Sequence, residues 1–243
     1  MIRAMESRPP LDWTPPPPLT APRLDGVWIR LEPLVPARDA GPLWEAFGGA
    51  PGSASGPASG ADHFLRWFGW DPVLGPGDLR ERLEEIQVQP DAAACLLRSP
   101  EGEAVGMASY LAMNPPHGTV EIGYVAHAPA IAGRRAATEA QFLLLGFAFD
   151  AGYRRVEWKC NAMNEPSRRA ADRLGYRYEG TSRQHRVARD RNRDTAWFSM
   201  LDHEWPGRRD AFVEFLRPLN FDEEGNQRTR LRRRPIDAVR PGG

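Results

Sequence analysis

The chain has 243 residues, enough for one large domain or two small ones, and its 32 basic and 32 acidic residues leave no formal net charge. A neutral balance gives no support to general polyanion binding, and no apolar run reaches the ~20 residues that cross a bilayer. Of the basic residues 31 are arginine, and Lys159 is the single lysine; with 24 prolines and 23 glycines, this reads as the coding bias of a GC-rich genome. Any one arginine therefore carries little information. The N-terminus lacks the charged-then-apolar pattern of a secretory signal. Cys95 and Cys160 sit in apolar, strand-like contexts and read as buried free thiols in a reducing compartment. These features describe a cytoplasmic globular protein, monomer or homodimer, with no membrane partner.

Residues 1–22 contain seven prolines and are expected to form an extended arm. "GVWIRLEPL" (Gly26–Leu34) alternates apolar and polar side chains and suits one half-buried strand. A short helix is expected over Asp39–Phe47. The Gly/Ser/Pro/Ala run Gly48–Ala61 reads as a mobile loop, followed by the aromatic stretch "HFLRWFGW" (His63–Trp70). Asp78 with Glu81 matches an N-cap and its third-residue partner, ahead of a Leu79, Leu83, Ile86 stripe. Three strands are expected next, at Ala93–Arg98, Ala104–Met113 and Thr119–Ala126. The turns "PEGE" and "NPPHG" join them into an antiparallel meander.

After Pro129 the period changes. Ala136, Ala140, Leu143, Leu144, Phe147 and Ala151 recur at helical spacing, with Gly152 where a C-terminal cap belongs. "RRVEWKC" (Arg154–Cys160) is the next strand, so strand, helix and strand imply a parallel pairing with a right-handed crossover. A second helix runs from about Pro166 to Leu174, started by Asn164 and stopped by Gly175. Two final strands, Tyr176–Val187 and Thr195–Asp202, flank the polar turn "ARDRNRD". A helix at Arg209–Leu216 precedes a tail, Asn226–Gly243, with six arginines and expected disorder. The fold class is α/β: a mixed sheet of about seven strands, antiparallel and then parallel, flanked by helices. The main domain is expected over 23–206, between the Pro-rich arm and a C-terminal region at 207–243.

The start of the first long helix, Gly133, Arg134, Arg135, Ala136, Ala137 and Thr138, carries a chemical suggestion. A helix start presents unpaired N–H groups and a positive dipole end, small residues allow close approach, and arginines can clamp an anion. A phosphate or pyrophosphate cradle is one reading. An ordinary helix entry with two solvated arginines is the other.

The run from "VEIGYVAHAP" through "AATEAQFLLLGFAF" and "RRVEWKCNAMNEPSRRAADRLGYRYEG" to "RNRDTAWFSM" resembles the GCN5-related N-acetyltransferases. It is most similar to the branch containing ribosomal-protein N-terminal acetyltransferases. The resemblance covers roughly Gly26 to Pro206. It implies an acetyl-CoA site with the thioester arm along a splayed strand, here Gly123, Tyr124, Val125 and Ala126. The pyrophosphate would lie on Ala132, Gly133, Arg134, Arg135, Ala136, Ala137 and Thr138, with backbone N–H groups as the main donors. The family commonly has Gln or Arg at the position of Ala132 and glycines at those of Arg135 and Ala137. Asn164 matches the family's pantetheine-binding Asn, and Ser167 its hydroxyl residue three positions on. The tyrosine that many members use as general acid is replaced by Ala171, so Ser167 is expected to protonate or stabilise the leaving thiolate.

Acetyl transfer to an amine needs a base, donors for the carbonyl oxygen and a route for the thiolate, and no metal or redox group. Backbone N–H groups around Gly123–Val125 would polarise the carbonyl. Glu121, just before the splayed strand, is the first candidate for the base if burial raises its pKa; a paired strand glutamate is the alternative. His185 is the second, in "RQHRV", where Arg186 stands at the position of a glutamate in ribosomal-protein members. Trp67, Phe68 and Trp70 line an acceptor pocket or belong to the core. The expected activity is direct acetyl transfer to a protein N-terminus or small-molecule amine, with no nucleic-acid partner. A non-catalytic acyl-CoA-binding module is the alternative. Binding of nucleic acid through Arg183–Arg193 and the tail is opposed by zero net charge and the lack of a recognisable module.

Overall fold

The computed structural model describes residues 11–49 and 60–232. Eight strands make one sheet: β1 (Leu24–Asp25), β2 (Arg30–Pro33), β3 (Ala93–Arg98), β4 (Ala104–Asn114), β5 (Thr119–His127), β6 (Arg155–Asn161), β7 (Arg177–Ala188) and β8 (Arg191–Leu201). Their order is β1-β2-β3-β4-β5-β6-β8-β7. All neighbouring pairs are antiparallel except β5 and β6, which are parallel around the intervening helix α4 (Arg135–Asp150). The expected mixed sheet is present, with one strand more than anticipated.

Both faces of the sheet are covered, which explains the continuous apolar character of "AACLLR" in β3. Cys95 and Leu97 point to a core shared with α4 and α6 (Trp205–Phe215), through Leu144, Leu145, Phe212 and Phe215. Leu96 points the other way, to Leu43 and Trp44 of α1 (Pro36–Ala46) and to Leu79, Leu83 and Ile86 of α3 (Pro76–Gln87). Cys95 and Cys160 are free and buried, as anticipated, and burial pushes the Cys95 thiol up to about 12.

Several expected boundaries change for local reasons. The single strand over Gly26–Leu34 is a hairpin, because the buried carboxylate of Glu139 in α4 accepts hydrogen bonds from Val27 N (2.8 Å) and Trp28 N (2.7 Å) and holds the turn. Helix α1 begins earlier than Asp39, at Pro36, whose fixed φ suits a first turn. Asp78 is not the N-cap of α3. Gly75 is, and the Asp78 carboxylate reaches back to Leu74 N at 2.8 Å. Helix α5 (Glu165–Leu174) starts at the N-cap Asn164 and ends at Gly175, as expected.

Strands β7 and β8 run on to a two-residue turn at Arg189–Asp190, so the polar segment "RDRNRD" is mostly strand. Part of the Arg-rich tail is docked rather than free: Leu231 is buried, and the Arg208 guanidinium donates to the carbonyls of Leu174, Arg173 and Arg232. The described part of the arm has no regular element and lies against the domain, with Trp13 Nε1 donating to Gly152 O at 3.1 Å. Residues 1–10 and 233–243, and most of the Gly/Ser-rich loop (50–59), lie outside the described residues. Its end forms α2 (Gly60–Leu65), followed by a tight turn at Arg66–Phe68. No described helix is long and apolar enough to cross a membrane.

The Glu139 contact generates a first prediction. Glu139→Ala leaves two amides without a partner and should cost about 1–3 kcal/mol of stability, read as a lower urea midpoint at unchanged slope. An unchanged midpoint would show that the β1–β2 turn does not depend on this carboxylate.

Candidate active site

A cleft opens where β5 leaves β6. Along β4, Ser109 pairs with Gly123 and Met107 with Ala126, so β5 carries an extra residue between them. Tyr124 there adopts φ 46°, a left-handed conformation that costs energy for a residue with a side chain. Its ring packs against Phe68 and Trp70, each with centroids 5.2 Å away, and these contacts hold the bulge. Pairing with β6 stops at Glu121 opposite Glu157, although the two strands run on to His127 and Asn161. The diverging ends frame a cavity of about 770 Å³. Gly123 keeps its floor clear, since a Cβ there would lie 2.6 Å from Leu111 and 3.0 Å from Glu121 Oε1.

One end of the cavity meets the first turn of α4. Gly133 has φ 73°, and no atom lies within 4 Å of where its Cβ would be. The N-cap Arg134 offers no side-chain cap, and the first turn holds no acidic residue. Ala132, Gly133 and Ala137 line the cleft at this uncapped, positively polarised end. Three residues without a sequence signal join them: Arg173, Gln141 and His127. Arg173 Nη2 donates to Thr138 Oγ1 at 2.9 Å, and no described carboxylate pairs with its guanidinium. Both amide atoms of the buried Gln141, and His127 Nε2, have no hydrogen-bond partner among the described residues. Burial, and after it the charge of Arg173, lowers the His127 pKa to about 4, so the ring is neutral at pH 7. Orphaned polar groups around an uncapped helix start fit a polyphosphate with an amide-bearing arm.

The expected clamp of two arginines is not what the side chains form. Arg135 lies between Trp28 and Phe221, its guanidinium carbon 5.0 and 5.1 Å from their ring centroids, because cation–π packing outcompetes the open cleft. Arg134 is exposed and Ala136 is buried in the core. Thr138 is buried and serves as acceptor for Arg173.

Asn164 and Ser167 face the middle of the cavity. Asn164 Oδ1 accepts from Ser167 N at 3.2 Å, so the residue does cap α5, while its amide nitrogen makes no hydrogen bond among the described residues. Ser167 Oγ accepts from Trp158 Nε1 at 3.0 Å, and its hydroxyl faces the Cys160 thiol, whose pKa it draws down against burial. Ala171 is fully buried on the core side of α5 and does not line the cleft.

Glu121, Lys159 and His185 lie together on the opposite wall. Lys159 Nζ is 2.9 Å from Glu121 Oε2 and 3.5 Å from Glu157 Oε2, and it packs over the Trp197 ring. Burial raises the Glu121 pKa, and Lys159 draws it partly back. His185 is exposed, with Nδ1 3.0 Å from the buried Thr195 Oγ1. The single lysine of an arginine-rich chain was a legible signal for this wall.

The remaining end is covered by Phe64, Trp67 and Phe68 and by the β7–β8 hairpin. Trp70 supports Tyr124 from behind. The hairpin tip is not a free solvated turn: Arg189 forms a two-pronged pair with Asp62 (2.6 and 3.1 Å) and donates to Trp70 O at 2.6 Å.

Residues 29–177 match the acetyltransferase (GNAT) domain family. A GCN5-related N-acetyltransferase from Brucella melitensis shares 37% identity and a TM-score of 0.82, with 90% of this chain and 96% of that one covered. A GNAT-family structure from Chromobacterium violaceum ATCC 12472 shares 36% identity and a TM-score of 0.74, over 82% of this chain and 96% of that one. Spermidine N-acetyltransferase from Vibrio cholerae, in complex with CoA and spermine, has the same fold at 13% identity and a TM-score of 0.58, over 73% of this chain and 98% of that one. No curated protein matches the chain. The chain belongs to the GNAT family of acetyl-CoA-dependent N-acetyltransferases.

The geometry separates two arginines that look alike in sequence. Arg173→Gln should weaken CoA binding roughly 10–100-fold by calorimetry, the worth of one charge-assisted contact. Arg135→Gln should leave CoA affinity nearly unchanged and cost about 0.5–2 kcal/mol of stability. The reverse pattern would restore the two-arginine clamp.

Proposed function

We propose that the chain transfers an acetyl group from acetyl-CoA directly to a primary amine, small molecule or peptide terminus, bound beside it in the same cleft. The observation that carries this reading is the early end of the β5–β6 pairing. It leaves unpaired strand edges facing an uncapped helix start at one end and proton-handling side chains in the middle. Acetyl-CoA, when bound, supplies the activated acetyl thioester. The first turn of α4, Arg173 and Gln141 hold its diphosphate end, Asn164 Nδ2 meets the amide-bearing arm, and the peptides of Gly123, Tyr124 and Val125 polarise the carbonyl. Glu121 takes the proton of the incoming amine, directly or through water, with His185 as a second acceptor toward the solvent side. Ser167 hands its hydroxyl proton to the departing sulfur. A reducing, cytoplasmic setting belongs to the same reading and suits two free thiols.

A catalyst is favoured over a passive acyl-CoA binder because both proton-handling groups face the splay. Thiol release in the presence of amines separates the two: acceptor-dependent turnover is expected, and tight CoA binding without any turnover would leave a binding module.

The Glu121–Lys159 pair sets the pH dependence. Glu121 accepts a proton only when ionised, so kcat/KM falls on the acid side of its raised pKa. Lys159→Met removes the cation that lowers that pKa, and the acid limb should move to higher pH with the same acceptor. Glu121→Gln should abolish the limb and reduce kcat by about 10²–10⁴-fold. An acid limb in the same place in both variants would remove Glu121 from the mechanism. Ser167→Ala should lower kcat by roughly 10–100-fold with acetyl-CoA affinity nearly kept. Unchanged turnover would assign leaving-group protonation to water.

A further inference from the structure

The acceptor end of the cleft holds positive charge that no described carboxylate pairs with. Arg193 of β8 is half-buried and lines the cavity. Its Nη1 reaches Phe68 O at 3.4 Å, and its buried Nε has no partner among the described residues. Directly across the hairpin stands Arg186, also lining the cavity and also outside any ion pair among the described residues. Burial, then the charge of Arg186, lowers the Arg193 pKa, and the more distant Glu121 offsets this only in part. Elsewhere on the same hairpin a guanidinium is matched, as Arg189 is by Asp62. A half-buried arginine with no described carboxylate within ion-pair distance, facing a cavity, is a site for an anion.

The phosphates of acetyl-CoA do not account for it. The uncapped first turn of α4 gathers Arg173 and Gln141, whereas Arg193 neighbours Phe68, Tyr124, Cys160, Glu121 and Arg186, on the side of the aromatic wall. The carboxylates lining the cavity are Glu121, held by Lys159 at 2.9 Å, and the exposed Asp91. Neither lies within ion-pair distance of Arg193. Such a lining repels a polycationic amine, which would need several free carboxylates.

Resting on the acetyltransferase reading, we propose that the acceptor amine carries an anionic group of its own, a carboxylate or a phosphate, and that Arg193 with Arg186 binds that group. Phe64, Trp67 and Phe68 then cover the apolar body of the same molecule. The anion also fixes the amine relative to Glu121, so Arg193 determines specificity by position and takes no proton.

The test uses acceptor pairs with and without an anionic group: phenylalanine against phenylalaninamide, and O-phosphoethanolamine against ethanolamine, with spermidine as a polycation. Rates are corrected for the fraction of free amine. The anionic member of at least one pair should have the higher kcat/KM, by roughly 10–100-fold, and which pair responds tells carboxylate from phosphate. Arg193→Gln should collapse that ratio toward one through KM rather than kcat, and Arg193→Lys should retain part of it. Titration of each variant with CoA checks that the fold and the cofactor end are intact. Equal use of the two members, preference for the neutral or polycationic amine, or an unchanged ratio in Arg193→Gln overturns the proposal. If no acceptor in the panel turns over, phenylacetate and inorganic phosphate are titrated into the CoA-loaded protein. Binding that Arg193→Gln loses supports the site, and silence at millimolar concentration overturns it. Failure of CoA itself to bind the wild-type protein is a different result, which overturns the acetyltransferase reading and this proposal with it.

Discussion

The site depends on one backbone event, the extra residue that β5 carries at Tyr124. A regular β5 would continue its parallel ladder with β6 past Glu121 and close the sheet over the space the cleft occupies. The bulge bends the strand away instead, and the left-handed conformation it demands is a local cost. That cost is met by packing: Tyr124 sets its ring against both Phe68 and Trp70, and Arg189 ties this aromatic segment to the β7–β8 hairpin. The wall that covers the acceptor end is therefore the same structure that holds the cofactor strand open. A change in that wall reaches the thioester position without touching it.

Charge placement follows a second rule. Some surface arginines are matched with acids one turn away, as Arg80 with Glu84 and Arg169 with Glu165, pairs that contribute little to stability. In the cleft, Arg173 and Arg193 are partly buried with no carboxylate within ion-pair distance among the described residues, and desolvation lowers the pKa of each. Glu121 has a partner, yet burial still raises its pKa. Binding partners carrying phosphate or carboxylate would relieve the first two, and an ammonium donor would engage the third.

Much of the architecture was legible in the sequence, because hydrophobic period distinguishes elements locally. The meander, the long helix between two parallel strands and the Asn164-to-Gly175 helix all follow from spacing and caps. The hairpin at Val27 and Trp28 was not, since the group that makes it is Glu139, more than a hundred residues away. The polar string "RDRNRD" looked like a turn, but cross-strand pairing with β7 and the bond to Asp62 make it strand. At the site, Glu121, His185, Asn164 and Ser167 do come together around one cavity. Arg135 does not join them, because its guanidinium packs on the rings of Trp28 and Phe221. Arg173 and Arg193 carried no signal among 31 arginines, since what distinguishes them is a place in the cavity wall without an ion-paired carboxylate among the described residues.

The central claim is that a single ligand spans the β5 bulge and the first turn of α4. Hydrogen–deuterium exchange with and without saturating CoA reads both places at once in the intact protein. Slowed exchange in both 122–126 and 133–138, with the far strands β2 and β3 unaffected, is the expected result. Saturating binding that protects neither segment, or only residues outside the cleft, would contradict it.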